Sequence, residues 1–149
     1  MGITRITAAP GLPTTFPFSL ASGIDGICLI SGMPALSPNG ALATGTFQEE
    51  AQRAWHNILS IADAAGYSSE AIVYVQCVLG DIEDYQKLND WWRRQFPDLA
   101  TAPARFTYQA GALPFGAKIE IQAIAGRCRS GHRHDEEIRR SDNAAPLPD

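Results

Sequence analysis

Residues 117–125 read AKIEIQAIA, and the alternation in that stretch decides how the rest of the chain is read. Successive side chains of an extended strand point to opposite faces, so Ile119, Ile121, Ala123 and Ala125 share one apolar face. Lys118, Glu120 and Gln122 fall on the other, together with Ile124. Such a strand covers a core with one side and offers a polar surface with the other. Just upstream, Arg105 to Gln109 reads as a second strand, with Arg105, Thr107 and Gln109 on one face and Phe106 and Tyr108 on the opposite one. If the Leu113–Gly116 turn joins the two strands as a pair, Arg105 and Glu120 lie on the same sheet face, away from the helices. Spacing alone leaves two readings of that pair: a polar site, or a surface salt bridge of little energetic weight.

Further outward, Thr46 and Glu49 have the spacing of a capping box and precede apolar residues at Phe47, Ala51, Ala54, Trp55, Ile58, Ala62 and Ala65. The pattern predicts an amphipathic helix over 46–65, closed by Gly66. Ile72 to Leu79 predicts a largely buried strand, with Val73, Val75, Cys77 and Leu79 on its inner face. Asp81 is placed to cap a second helix through Phe96, with Ile82, Tyr85, Leu88, Trp92 and Phe96 on one stripe and Pro97 as its stop. Near the N-terminus, Phe16–Ser22 and Ile27–Ser31 read as a hairpin around Gly23, Asp25 and Gly26. The element order is ββ, α, β, α, ββ.

The 149 residues are enough for one domain with a sizeable core. Residues 1–126 hold seven basic and eleven acidic side chains, which is the whole of the net charge of −4. With no basic block in this body, nucleic acid is not an expected partner. Residues 127–149 balance five charges of each sign around few large apolar residues, and are expected to form a polar, flexible tail. The His132 and His134 pair in that tail is read as solvated rather than metal-binding, because ligands need a rigid supporting shell. Cys28, Cys77 and Cys128 are widely spaced and odd in number, so they are read as thiols of a reducing compartment. No apolar run approaches a membrane span and no targeting segment is recognised, so a cytoplasmic protein without a membrane partner is expected. No phosphate-binding glycine loop, nucleophile elbow or His-Glu metal motif is present. His56 is read as a partly exposed helix residue, and Trp91-Trp92 as core or interface.

An ordered set of short motifs then carries a resemblance: Ser31-Gly32-Met33-Pro34, Ala51-Gln52, Ala64-Ala65-Gly66, Asn89 with Trp92 and Phe96, Pro103-Ala104-Arg105, Leu113-Pro114, and Ile119 through Ala125. Together they resemble the RidA/YjgF family of imine and enamine deaminases, over about Phe16 to Ala125. The resemblance implies an α+β fold, a mixed β-sheet backed by two helices, with three subunits forming a chorismate-mutase-like trimeric barrel and sites in the intersubunit clefts. It implies hydrolysis of 2-aminoacrylate-type enamines, through their imines, to 2-keto acids and ammonia, with no metal or organic cofactor. By the same resemblance, Arg105 holds the substrate carboxylate and Glu120 positions or activates the hydrolytic water. Ser31 and Gly32 line the cleft, Asn89 supports it, and Phe18 and Thr107 stand where tyrosine and cysteine are common. Two other functions are compatible with such a scaffold: hydrolysis or tautomerisation of a larger pathway intermediate, and ligand binding by a non-enzymatic trimer.

Overall fold

A computed structural model describes residues 2–127. Six strands and two helices follow one another as β1 (Thr4–Ile6), β2 (Ala21–Ile24), β3 (Ile27–Met33), α1 (Phe47–Ala64), β4 (Ile72–Leu79), α2 (Tyr85–Gln95), β5 (Ala104–Gln109) and β6 (Ile119–Gly126). They form one mixed sheet in the order β1-β2-β3-β6-β4-β5, antiparallel except for the parallel β4–β5 pair. The α+β architecture with two helices is as expected. No helix among the described residues is long and apolar enough to cross a membrane.

Helix α1 begins with both bonds of the capping box, Thr46 Oγ1 accepting from the Glu49 amide and Glu49 Oε2 accepting from the Thr46 amide. It ends with Tyr67 N donating to Ala62 O and Gly66 N to Asp63 O, a Schellman closure whose left-handed residue is Gly66 at φ +79°. Both ends stand where the spacing put them. Its buried face, including Ala51, Ala54, Ile58, Ile61 and Ala62, meets the inner sheet residues Ile30, Val75, Cys77, Ile119, Ile121 and Ala123. An aromatic cluster locks α1 to α2: Trp55 meets Trp91 and Phe96 edge-on, and Trp92 lies 4.6 Å from Phe96. Gln52 Oε1 accepts from both Trp91 Nε1 and Gln95 Nε2, which satisfies the buried indole. Tyr85 and Ile82, expected on the core stripe, are exposed instead, and Ile82 lies in a 3₁₀ turn before α2.

Four expectations need correction. β5 and β6 do not pair: β6, whose inner residues are fully buried, lies between β3 and β4, and β5 is an edge strand joined in parallel to β4. The hairpin strand expected over 16–22 begins only at Ala21, and β1 is an additional strand beside it. A register shift between Ile72 and Tyr74 turns Val73 outward and Ile72 into the core. Arg127, assigned to the flexible tail, is docked. Its amide donates to Gly26 O, its guanidinium donates to Gly66 O, and the guanidinium lies 4.3 Å over the Tyr67 ring. Residues 128–149, with the His132 and His134 pair and Cys128, lie outside the described residues.

One buried charge fixes where β6 begins. Glu50 on α1 is fully buried, and its carboxylate accepts from the Lys118 amide and from Lys118 Nζ, each at 2.9 Å. Lys118 Nζ also donates to Gly45 O, so the cation bridges the helix entry to the strand that carries Glu120.

Candidate functional site

The residues expected to act together fall into two clusters on opposite faces of the sheet. On β5, Arg105 and Thr107 stand level with Val75 and Cys77 of β4, whose side chains are buried beneath the helices. Arg105 therefore emerges on the helix side, at the sheet edge. Its Nη2 donates to Asn89 Oδ1 of α2 at 2.6 Å, and its guanidinium carbon lies 5.0 Å from the Trp92 ring and 5.8 Å from that of Tyr85. Tyr85, Asn89 and Trp92 occupy positions i, i+4 and i+7 of one helix face, so α2 presents an aromatic, an amide and an aromatic in succession to the cation. Among the described residues Arg105 has no carboxylate partner. Held at one edge by Asn89, the guanidinium keeps donors for a planar anion.

Thr107 Oγ1 lies in the same row, buried and without a hydrogen-bond partner among the described residues. An unmet buried hydroxyl costs about 1–3 kcal/mol, which a ligand acceptor would return. Burial pushes the neighbouring Cys77 thiol up to about 12 despite the nearby Arg105 charge, so it stays protonated at neutral pH and is no nucleophile.

Glu120 lies on the other face. Its β6 position is level with Val78 of β4, which is level with Tyr108 of β5, and this row belongs to the side the helices leave open. Burial raises the Glu120 carboxyl above the ordinary carboxylate range. Ile30 pairs with Ala123, while Met33 pairs with Ile121, so Ser31 and Gly32 form a bulge opposite Gln122 that brings Gly32 beside the Glu120 carboxylate. A Cβ at position 32 would overlap the Glu120 carboxylate oxygen, so any larger residue there obliges that carboxylate to move. Ser31 Oγ donates to Ser19 O at 2.8 Å and ties this bulge to the segment carrying Phe18. Phe18 is exposed, and its ring stacks on Phe16 at 5.1 Å. A concavity of about 420 Å³ is lined by Ser31, Gly32, Glu120, Gln76, Gln122 and Tyr108, among others.

The expectation that Arg105 and Glu120 share a face is thus overturned. Its premise was a β5–β6 hairpin, and inserting β4 with parallel pairing sets Arg105 level with an inward residue. Tyr85 fits a core stripe by spacing, which hides its contact with Arg105, as it does that of Trp92; the helical spacing of both around Asn89 is the signal that points to them. His56 is exposed on α1, away from both clusters, and Trp91 and Trp92 are core.

Gly32→Ala is expected to displace the Glu120 carboxylate and cost at least tenfold in kcat for any reaction that uses it, with the fold intact by circular dichroism. Undiminished turnover would remove Glu120 from the chemistry or show that it works from another rotamer.

The family described as Endoribonuclease L-PSP matches residues 9–126, and the chain belongs to it. This is the same family the motif resemblance indicated. A goat (Capra hircus) protein named 2-iminobutanoate/2-iminopropanoate deaminase is 37% identical over 125 residues, which cover 83% of this chain and 90% of that protein. Among solved structures, the E. coli YjgF gene product superposes with a TM-score of 0.75 at 26% identity, covering 84% of this chain and 100% of that one. E. coli TdcF, solved with bound serine, gives 0.72 at 27% identity, with coverage of 84% and 100%.

Proposed function

We propose that the protein is a cofactor-independent deaminase that hydrolyses 2-imino acids, formed from reactive enamines, to 2-keto acids and ammonia. The observation that carries this reading is the pair of unneutralised charged side chains, Arg105 and Glu120, each prepared for a different half of such a substrate. The name of the goat relative and the serine bound to TdcF support a small ligand with a carboxylate. Arg105 takes that carboxylate through two parallel hydrogen bonds, with Asn89 fixing the guanidinium plane and Thr107 Oγ1 available to donate. Glu120 accepts a proton from water as its oxygen bonds to the imine carbon and the C=N pair moves onto nitrogen. The proton is returned to nitrogen, the hydroxyl proton of the resulting carbinolamine is then transferred to the same nitrogen, and the C–N bond breaks as the C=O bond forms, so that ammonia leaves. Water supplies the oxygen, so no redox partner or metal is required by the balance.

Because the two groups of one chain lie on opposite faces of its sheet, they serve one substrate only if the edge of one protomer meets the open face of another. A homotrimeric barrel with three equivalent clefts meets this condition. The open face has the composition of a surface to be covered: Leu29, Tyr74, Phe106, Tyr108 and Ile124 stand on it, and Leu29 and Phe106 are each about half exposed. We place the protein in the cytoplasm, where widely spaced, unpaired thiols such as Cys28 and Cys77 stay reduced.

The test is release of 2-keto acid from imines generated by an amino-acid oxidase, with semicarbazide competing for free imine. The expected result is an excess over spontaneous hydrolysis that scales with protein concentration. No excess across a range of amino acids would overturn the deaminase reading.

A further inference from the structure

The Glu120 concavity holds more polar chemistry than hydrolysis of the smallest imino acids uses. Three side chains remain without a role: Tyr108 on β5, Gln76 on β4 and Gln122 on β6. Two adjacent rows of the open face bring them together. Glu120, Val78 and Tyr108 form one row across β6, β4 and β5, and Gln122, Gln76 and Phe106 form the next. Gln122 follows Glu120 by two residues on the same strand face, and Gln76 stands directly opposite it. All three line the same concavity as the carboxylate.

Among the described residues, no side-chain hydrogen bond engages Tyr108, Gln76 or Gln122. Each amide has two donors and an acceptor to offer, and the phenol has one donor and an acceptor. Their neighbours on the face are apolar: Val78 between Glu120 and Tyr108, and Phe106, whose ring lies 5.6 Å from that of Tyr108. When the face is covered, these polar groups lose water and need partners, or each costs free energy. A space of about 420 Å³ exceeds what a three- or four-carbon acid fills. A hydrogen-bonding substrate side chain would occupy it and pair the three groups.

We infer that Tyr108, Gln76 and Gln122 form a side-chain subsite beside Glu120 that selects 2-imino acids bearing a polar, hydrogen-bonding side chain over those with an aliphatic one. This rests on the deaminase reading for its reaction, but the recognition it describes is separable from turnover. Aliphatic side chains would leave two amides and a phenol unpaired, and sites built to hydrogen-bond discriminate more sharply than apolar pockets do.

The experiment compares the imines of glutamine and leucine with the full-length protein, and in parallel measures binding of the two product 2-keto acids by calorimetry. Wild type is expected to favour the glutamine-derived imine by at least tenfold in kcat/KM, and its keto acid by a similar factor in Kd. Tyr108→Phe and Gln122→Leu should each shrink that ratio severalfold, Tyr108→Phe doing so by loss of the hydroxyl alone. A wild-type ratio near one, or ratios unchanged in both folded variants, overturns the subsite. Absence of turnover on every imine, with the binding preference and its loss in the variants intact, overturns the deaminase reading and leaves the subsite standing.

Discussion

Glu120→Gln is expected to lower kcat by roughly 10²- to 10⁴-fold while KM changes little, because the amide is nearly isosteric but accepts no proton. Steady-state rates in the oxidase-coupled assay, against the spontaneous background, measure this. The pH profile carries the same assignment. Burial raises the Glu120 carboxyl, and a general base must be ionised, so activity falls with decreasing pH along a limb lying above the ordinary carboxylate range. Stability moves the other way. A raised folded-state pKa contributes stability that is fully present below the unfolded value and is lost as pH rises through the folded one. At neutral pH the Gln variant is therefore expected to melt slightly above wild type, and the gap should close as the solution is acidified. Glu120 is only partly buried, and solvent screening keeps the effect small. Unimpaired turnover in Glu120→Gln would leave the deaminase assignment in place and remove this role for Glu120.

Mixing two impaired variants is expected to restore activity. Arg105→Ala loses the bidentate carboxylate clamp and is expected to raise KM strongly, with Arg105→Lys an incomplete rescue because a point charge does not reproduce the fork. In trimers assembled from equal amounts of Arg105→Ala and Glu120→Gln subunits, a cleft between two chains is intact when the Glu120→Gln subunit supplies Arg105 and the Arg105→Ala subunit supplies Glu120. Random assortment gives about a quarter of all clefts in that state, so about a quarter of wild-type activity returns. Native mass spectrometry tests whether the subunits have exchanged, and the expected particle has three chains. Exchange without recovered activity would mean that no cleft combines Arg105 and Glu120 from different chains, and the intersubunit site would fall.

Much of this was legible before any coordinates. The capping box at Thr46 and Glu49, the closure at Gly66, and the inward Ile119, Ile121, Ala123 and Ala125 follow from local rules of helix ends and strand alternation, and each appears where those rules put it. The motif order also identifies the family, and it points to Arg105, Asn89, Ser31, Gly32 and Glu120 as candidate site residues. Less legible were residues with two defensible local readings. Tyr85 fits a core stripe by spacing, yet it ends α2's exposed side as a ring beside Arg105. Val73 fits the inner face of its strand until a one-residue register shift turns it outward. Glu50, one acidic residue in a helix's first turn, gives no sign in the sequence that it is buried against Lys118, 68 residues away.

Within a regular stretch of helix or strand, the period of the local backbone sets which residues share a face, and that much is readable from the chain alone. Which strands are neighbours, and where a register shift interrupts the period as it does before Tyr74, depends on tertiary pairing. The placement of β6 between β3 and β4, with β5 moved to the edge in parallel, depends on pairing between segments far apart in the chain, which no local period encodes. That choice sets Arg105 level with inward-facing Val75 and Glu120 level with outward-facing Val78. A side-chain period of two converts a change of strand partner into a change of sheet face, and so separates the two charges by the thickness of the sheet.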